Sequence, residues 1–125
     1  MTAFALETTI PALRMFDVAK TRHFYVDWLG FDWAWEHRHC ENAPLYAGLR
    51  LGALELHVTE HYGDCAPGAR VMLRVSGLRA FHAALLAKPF RFARPGLDVM
   101  PWGLVMAVTD PSFNTLAFTD PGEKA

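Results

Sequence analysis

Residues 18–30, VAKTRHFYVDWLG, decide how this chain folds. Val18, Tyr25, Trp28 and Leu29 can share one face of a helix, with polar residues on the opposite face. Asp17 stands where a carboxylate caps the first free N–H groups of a helix. Gly30 stands where a helix ends on a left-handed residue. The pattern then returns. Residues 78–87, LRAFHAALLA, predict a second helix with Leu78, Phe81, Leu85 and Leu86 inward, capped by Ser76 or Gly77. Phe24 and Phe81 are 57 residues apart, and so are Leu29 and Leu86. Two helices at one offset predict a two-fold duplication rather than a long solenoid.

Strands surround each helix. Residues 9–15, TIPALRM, predict a short strand, and Pro11 confines it to an edge or a crossing point. In 31–37, FDWAWEH, alternation sends Phe31, Trp33 and Trp35 to one side and Asp32, Ala34 and Glu36 to the other. Residues 45–51, LYAGLRL, form the next strand, and Gly52-Ala53 turns into 54–61, LELHVTEH. There Leu54, Leu56 and Val58 face one way, and Glu55, His57, Thr59 and His61 the other. The second half predicts strands at 70–75, 90–94, 104–109 and 115–119, with PGLDVMPWG as a loop. In the turn DPSFN, Asp110 and Pro111 suit the first two positions of a type I turn. Each half therefore reads as βαβββ. The expected class is α+β, in one domain over 1–125, with module 1 at about 9–61 and module 2 at about 69–120. Helices cover one side of the mixed sheet. The other side, carrying Trp33, Trp35, Glu55 and His57, curves into a cup.

Composition excludes several classes. The chain of 125 residues is 52% hydrophobic, too apolar for disorder. Its net charge of −1, with no Lys/Arg stripe, argues against a nucleic-acid partner. Its apolar runs fall well short of the ~20 residues of a membrane helix. The N-terminus lacks the basic and apolar regions of a secretory signal. Cys40 and Cys65 are in no metal-finger spacing, so free thiols in a reducing cytoplasm are expected. No G-x-S-x-G, P-loop or Rossmann glycine pattern occurs. Cys65 has no local base to activate it.

Paired βαβββ modules resemble the vicinal oxygen chelate superfamily, which includes glyoxalase I, extradiol dioxygenases, fosfomycin-resistance transferases and bleomycin-resistance proteins. IPALRMFDVAKTRHFYVDWLGF (10–31) resembles the start of bleomycin-resistance proteins: a proline in the first strand, DV before the helix, LGF after it. YAGLRLGALELHVTEH (46–61) resembles their third and fourth strands. PWG (101–103) and VTDPSFN (108–114) resemble their loop and final turn, although Phe113 stands where that turn has glycine. The resemblance implies a cytoplasmic homodimer, with crevices built from both subunits and the first strand exchanged about Pro11. It implies non-catalytic sequestration of a planar aromatic antibiotic such as bleomycin, and hence drug resistance without a cofactor. The aromatics at Tyr46 and Trp102 would sandwich the drug's flat tail. The best-known members are strongly acidic, whereas this chain is nearly neutral.

The superfamily's metalloenzymes draw ligands from four strands, at positions matching Ile10, Glu55, Arg70 and Ala117. Only Glu55 can coordinate, and a stable site needs about three protein ligands. No metal is therefore expected, though His57 could add one ligand beside Glu55. The expected ligand-binding residues are Trp33, Trp35, Tyr46, Glu55, His57 and Trp102. For Glu55 and His57 the plainer alternative is that each is solvated or paired with a neighbour on a polar face. Two rival functions stay open: a metal-dependent glyoxalase, dioxygenase or thiol-transferase type of enzyme, and a structural dimer with a filled cup.

Overall fold

In the computed structural model, which describes residues 3–90 and 93–123, the Asp17 carboxylate accepts from Lys20 N at 2.9 Å and starts the first helix. This helix, α1 (Val18–Arg22), passes into a π-helical stretch, His23–Trp28. Its wider turn closes with Leu29 N donating to Phe24 O at 3.1 Å. Phe24 is buried beside Tyr25, Trp28 and Leu29. Gly30, at φ 89°, ends the element.

Around α1 lie β1 (Ala12–Arg14), β2 (Asp32–Arg38), β3 (Leu45–Leu51) and β4 (Leu54–Thr59). The second module has β5 (Arg70–Arg74), α2 (Leu78–Ala87), β6 (Asp98–Met100), β7 (Gly103–Thr109) and β8 (Thr115–Asp120). The two sheets have the same order, β1-β4-β3-β2 and β5-β8-β7-β6. In each, the first strand pairs parallel with the last and the remaining pairs are antiparallel. The predicted duplication is thus present in space. The strand after Pro11 lies at a sheet edge, and the Pro11 carbonyl accepts from His57 N at 2.9 Å.

Both modules share one core on the helix side. Leu13, Leu49, Leu56 and Val58 come from the first sheet, Leu73, Leu104, Met106 and Phe118 from the second. Trp28 and Leu85, on the two helical segments, are buried between them, and the Trp28 indole N–H donates to Leu85 O at 3.3 Å.

Two strand expectations are corrected. No strand forms at Phe90 or over 93–97, and residues 91–92 lie outside the described residues. Phe90 instead stacks on Trp28, with ring centroids 4.8 Å apart. Pro95 has no N–H for a ladder, so pairing with β7 begins only at Asp98. The stretch PGLDVMPWG therefore contains β6 rather than being all loop, and Pro101-Trp102 is the tight turn of a hairpin.

The turn DPSFN forms around Asp110, with Phe113 N donating to Asp110 O at 3.1 Å. Phe113 has φ 71°, which explains why the resembling family has glycine there. Its ring is 70% exposed, so little packing offsets the strain. Phe113→Gly is expected to stabilise the protein by about 1 kcal/mol, read as a higher urea midpoint.

Candidate ligand-binding site

The site lies on the helix-free face of the first sheet, where β3 and β4 place their polar side chains. Register sets Gly48 opposite His57, Tyr46 opposite Thr59, and Arg50 opposite Glu55. The Tyr46 hydroxyl lies 2.7 Å from His57 Nδ1, and His57 Nε2 lies 2.8 Å from Glu55 Oε2. Arg50 Nε stands 3.8 Å from the other oxygen, Glu55 Oε1. Three side chains expected to face a ligand thus form one hydrogen-bonded chain. Glu55 and His57 are each paired with a neighbour, as the plainer alternative had it, and that neighbour is the other; the pair also orients a phenol.

Trp35 covers this chain. Its ring lies nearly parallel to Tyr46, 5.8 Å between centroids at 11°, and edge-on to His57 at 5.0 Å. Trp35 remains 38% exposed. Gly48 makes this arrangement possible. A Cβ there would fall 2.3 Å from Trp35 Cε2, well inside contact distance. An isolated glycine inside a strand signals a close approach of this kind, and it was the sequence clue to the Trp35 seat that the strand pattern alone did not use.

Trp33 does not share that face. The alternation over 31–37 breaks at a bulge: Trp33 pairs with Leu49, Trp35 pairs with Gly48, and Ala34 is the extra residue. Trp33 therefore turns to the helix side and packs against the core. Its N–H donates to Glu36 Oε1 at 3.0 Å, and the Arg22 guanidinium lies 4.6 Å over its ring. Trp102 is exposed in the β6–β7 turn and makes no ring contact with Trp35, Tyr46 or His57.

Beyond Tyr46, the buried hydroxyl of Thr59 organises the following loop. It donates to Asp64 Oδ2 at 2.8 Å and accepts from His61 N at 3.0 Å. Asp64 and Cys65 thereby reach the electrostatic neighbourhood of Tyr46. Burial first, then Asp64, Cys65 and Glu55, push the Tyr46 phenol above its ordinary value. The group remains a neutral hydroxyl, able to donate or to accept. Burial also pushes the Cys65 thiol up, with Asp64 adding to the effect and Arg14 opposing it. This is the reverse of nucleophile activation.

The family model described as glyoxalase superfamily protein matches residues 1–124. The chain belongs to the glyoxalase superfamily. Its fold is that of the bleomycin-resistance branch of this superfamily, as solved structures show. A bleomycin-binding protein from Streptomyces verticillus, complexed with copper(II)-bleomycin, is 26% identical with a TM-score of 0.66, over 94% of this chain and 98% of that one. TnmS3, an antibiotic-binding protein from Streptomyces sp. CB03234, is 20% identical with a TM-score of 0.73, over 95% and 99%. A bleomycin resistance determinant encoded on the transposon Tn5 is 22% identical with a TM-score of 0.68, over 92% and 98%. No curated protein matches the chain.

Of the positions that correspond to metal ligands elsewhere in the glyoxalase superfamily, Ile10 and Arg70 are exposed and Ala117 is buried. Glu55 already holds His57 and faces Arg50. Among the described residues, no group of three or more His, Cys, Asp or Glu side chains could hold a metal ion. Nor, among them, is any helix long and apolar enough to cross a membrane.

Proposed function

We propose that this glyoxalase-superfamily member sequesters a planar aromatic small molecule of the bleomycin type without transforming it, and so confers drug resistance in the cytoplasm. The observation that carries this reading is the Trp35–Tyr46 stack, with Trp35 exposed, set above the Tyr46–His57–Glu55 chain. A flat heteroaromatic ring can extend such a stack, gaining about 1 kcal/mol beyond its buried area. Structural neighbours described as bleomycin- or antibiotic-binding support the same reading.

The working form is a homodimer with exchange about Pro11. Phe4 and Leu6, in the segment before β1, are 93% and 79% exposed, and covering such apolar side chains favours a second copy. A partner subunit would supply the second wall of the crevice, with Trp102 as its aromatic contact. Light scattering is expected to give twice the monomer mass.

The test of function is a tryptophan-fluorescence titration of metal-stripped protein with metal-free bleomycin and a panel of uncharged planar heteroaromatics. Saturable quenching near one ligand per subunit supports sequestration, and a flat response to the whole panel overturns it. Trp35→Ala is expected to weaken binding by about 1–3 kcal/mol. Trp33→Ala, on the helix side, is expected to leave affinity unchanged, and an equal loss in both variants would remove the role given to Trp35.

A further inference from the structure

We infer that Arg14, with Phe16, Tyr62 and the loop that follows β4, forms a second binding pocket, which takes a small aromatic carboxylate. Neither Trp35 nor Tyr46 lines it, and it stands or falls independently of the sequestration reading.

The argument begins on β1. Leu13 and Met15 are buried in the core, so Arg14 between them turns to the helix-free side, in register with Thr59 of β4. Among the described residues it is the one half-buried arginine, the others being exposed. The exposed Arg22, Arg38, Arg50 and Arg79 each lie within ion-pair distance of a carboxylate, whereas Arg14, among the described residues, does not. Glu60 adjoins Arg14, but its carboxylate is engaged elsewhere: Oε1 accepts from Leu45 N at 2.7 Å and stands 3.9 Å from Arg38 Nη1. Arg14 meets only the Glu60 backbone carbonyl, which accepts from Nη1 at 2.6 Å. The guanidinium also lies 4.9 Å from the centre of the Phe16 ring. These two contacts hold the group in place and leave its charge unneutralised. Its Nε and Nη2 hydrogens have no partner among the described residues, and that edge of a guanidinium suits a two-point grip on a carboxylate.

The guanidinium borders a hollow. An open depression of about 440 Å³ is lined by Arg14, Phe16, Tyr62, Cys65, Ala66 and Pro67. Phe16 and Tyr62 are exposed aromatic side chains, and Ala66 and Pro67 add apolar surface. Mostly apolar walls with one placed charge are the usual make-up of a small-molecule site. Asp64 is the acid that could repel an anion there. Its carboxylate accepts from Thr59 Oγ1 at 2.8 Å, lies 3.7 Å from His61 Nδ1, and does not line the hollow. The Arg14 charge already reaches the Cys65 thiol on the wall, where it opposes burial and Asp64. An aromatic carboxylate would supply Arg14 with the counter-charge it lacks and lay its ring among Phe16, Tyr62 and Pro67. An uncharged amide of the same shape would cover the same surface and leave the charge unpaired, at a cost in affinity.

The experiment titrates full-length protein by calorimetry with naphthoate and with naphthamide, its uncharged counterpart. Naphthoate is expected to bind at least about tenfold more tightly. Arg14→Gln is expected to abolish the difference, and Arg14→Lys, which keeps the charge without the fork, to retain only part of it. Arg50→Gln removes the same charge from the same face of the sheet and is expected to leave the difference intact. A second readout is local. In Cys40→Ser protein the one remaining thiol is Cys65. Naphthoate is expected to slow its alkylation by iodoacetamide several-fold, and naphthamide at the same concentration to slow it far less. Should Arg14→Gln not fold, Arg14→Lys and the Cys65 rate decide. Equal affinity for acid and amide overturns the proposal. So does a preference that survives Arg14→Gln, one lost equally in Arg50→Gln, or a Cys65 that naphthoate leaves unprotected. Acetate competing as strongly as naphthoate overturns the aromatic part. None of these outcomes bears on the bleomycin titration, which tests sequestration separately.

Discussion

Asp110→Ala is expected to destabilise the protein by about 3–5 kcal/mol, seen as a large drop in the urea midpoint. The Asp110 carboxylate is nearly fully buried and takes four hydrogen bonds. Its Oδ1 accepts from Ser112 N at 2.8 Å and from Asn114 N at 2.9 Å. Its Oδ2 accepts from Tyr25 OH at 2.7 Å and from Asn114 Nδ2 at 3.0 Å. Hydrogen bonds to a charged group contribute about 1.5–3 kcal/mol each, partly offset by the cost of burying the charge. Alanine would leave a phenol, an amide and two backbone donors unpaired in the interior. The damage would also cross between modules. Asn114 Nδ2 donates to Arg14 O at 2.8 Å, and Ser112 Oγ accepts from Phe16 N at 3.0 Å, so this turn of the second module holds the end of β1 in the first. Burial, followed by the Asp110 charge, pushes the Tyr25 phenol well above its ordinary value, so Tyr25 keeps its donating hydrogen. An unchanged midpoint in Asp110→Ala would mean that local turn geometry, not this network, holds the corner.

Trp28→Ala should be comparably severe, at about 3–5 kcal/mol. Trp28 is the largest of the fully buried side chains. It stacks on Phe90 and tilts against Phe24 at 5.4 Å, and its N–H reaches the last turn of α2. The backbone adds a tie, since Lys88 Nζ donates to Trp28 O at 2.6 Å. Removing the indole opens a cavity between the two helical segments. The Trp35–Tyr46 stack is on the far side of the sheet. Near-wild-type affinity in whatever fraction of Trp28→Ala stays folded would therefore separate core damage from site damage, whereas lost affinity in folded protein would argue against that separation.

The helices show why some elements were legible in the sequence and others were not. Asp17, Gly30 and Gly77 act on their own neighbours in the chain, and α2 spans the predicted 78–87. The π-helical stretch was not legible, because its buried residues, Phe24, Tyr25 and Trp28, also fit one face of an ordinary α-helix. The strands divide in the same way. Residues 45–51 form β3 as expected, and β4 sorts Leu56 and Val58 inward from Glu55 and His57, because period-two alternation is written in the strand itself. The FRFAR stretch also alternates, yet Phe90 joins the core beside Trp28 and pairing with β7 waits until Asp98. In the candidate site, Trp35, Tyr46, Glu55 and His57 come together as their residue types suggested. Trp33 does not, because a bulge at Ala34 reverses the facing of every residue before it.

By itself, the sequence determined two βαβββ modules and a polar face on β4, because caps, turns and alternation act over a few neighbouring residues. The tertiary structure alone decided which tryptophan lies against Tyr46 and His57, why Gly48 lies beneath it, and that Tyr46, His57 and Glu55 are linked in series. Those features depend on the register of β3 against both β2 and β4, and register is set by partner strands that no local pattern contains.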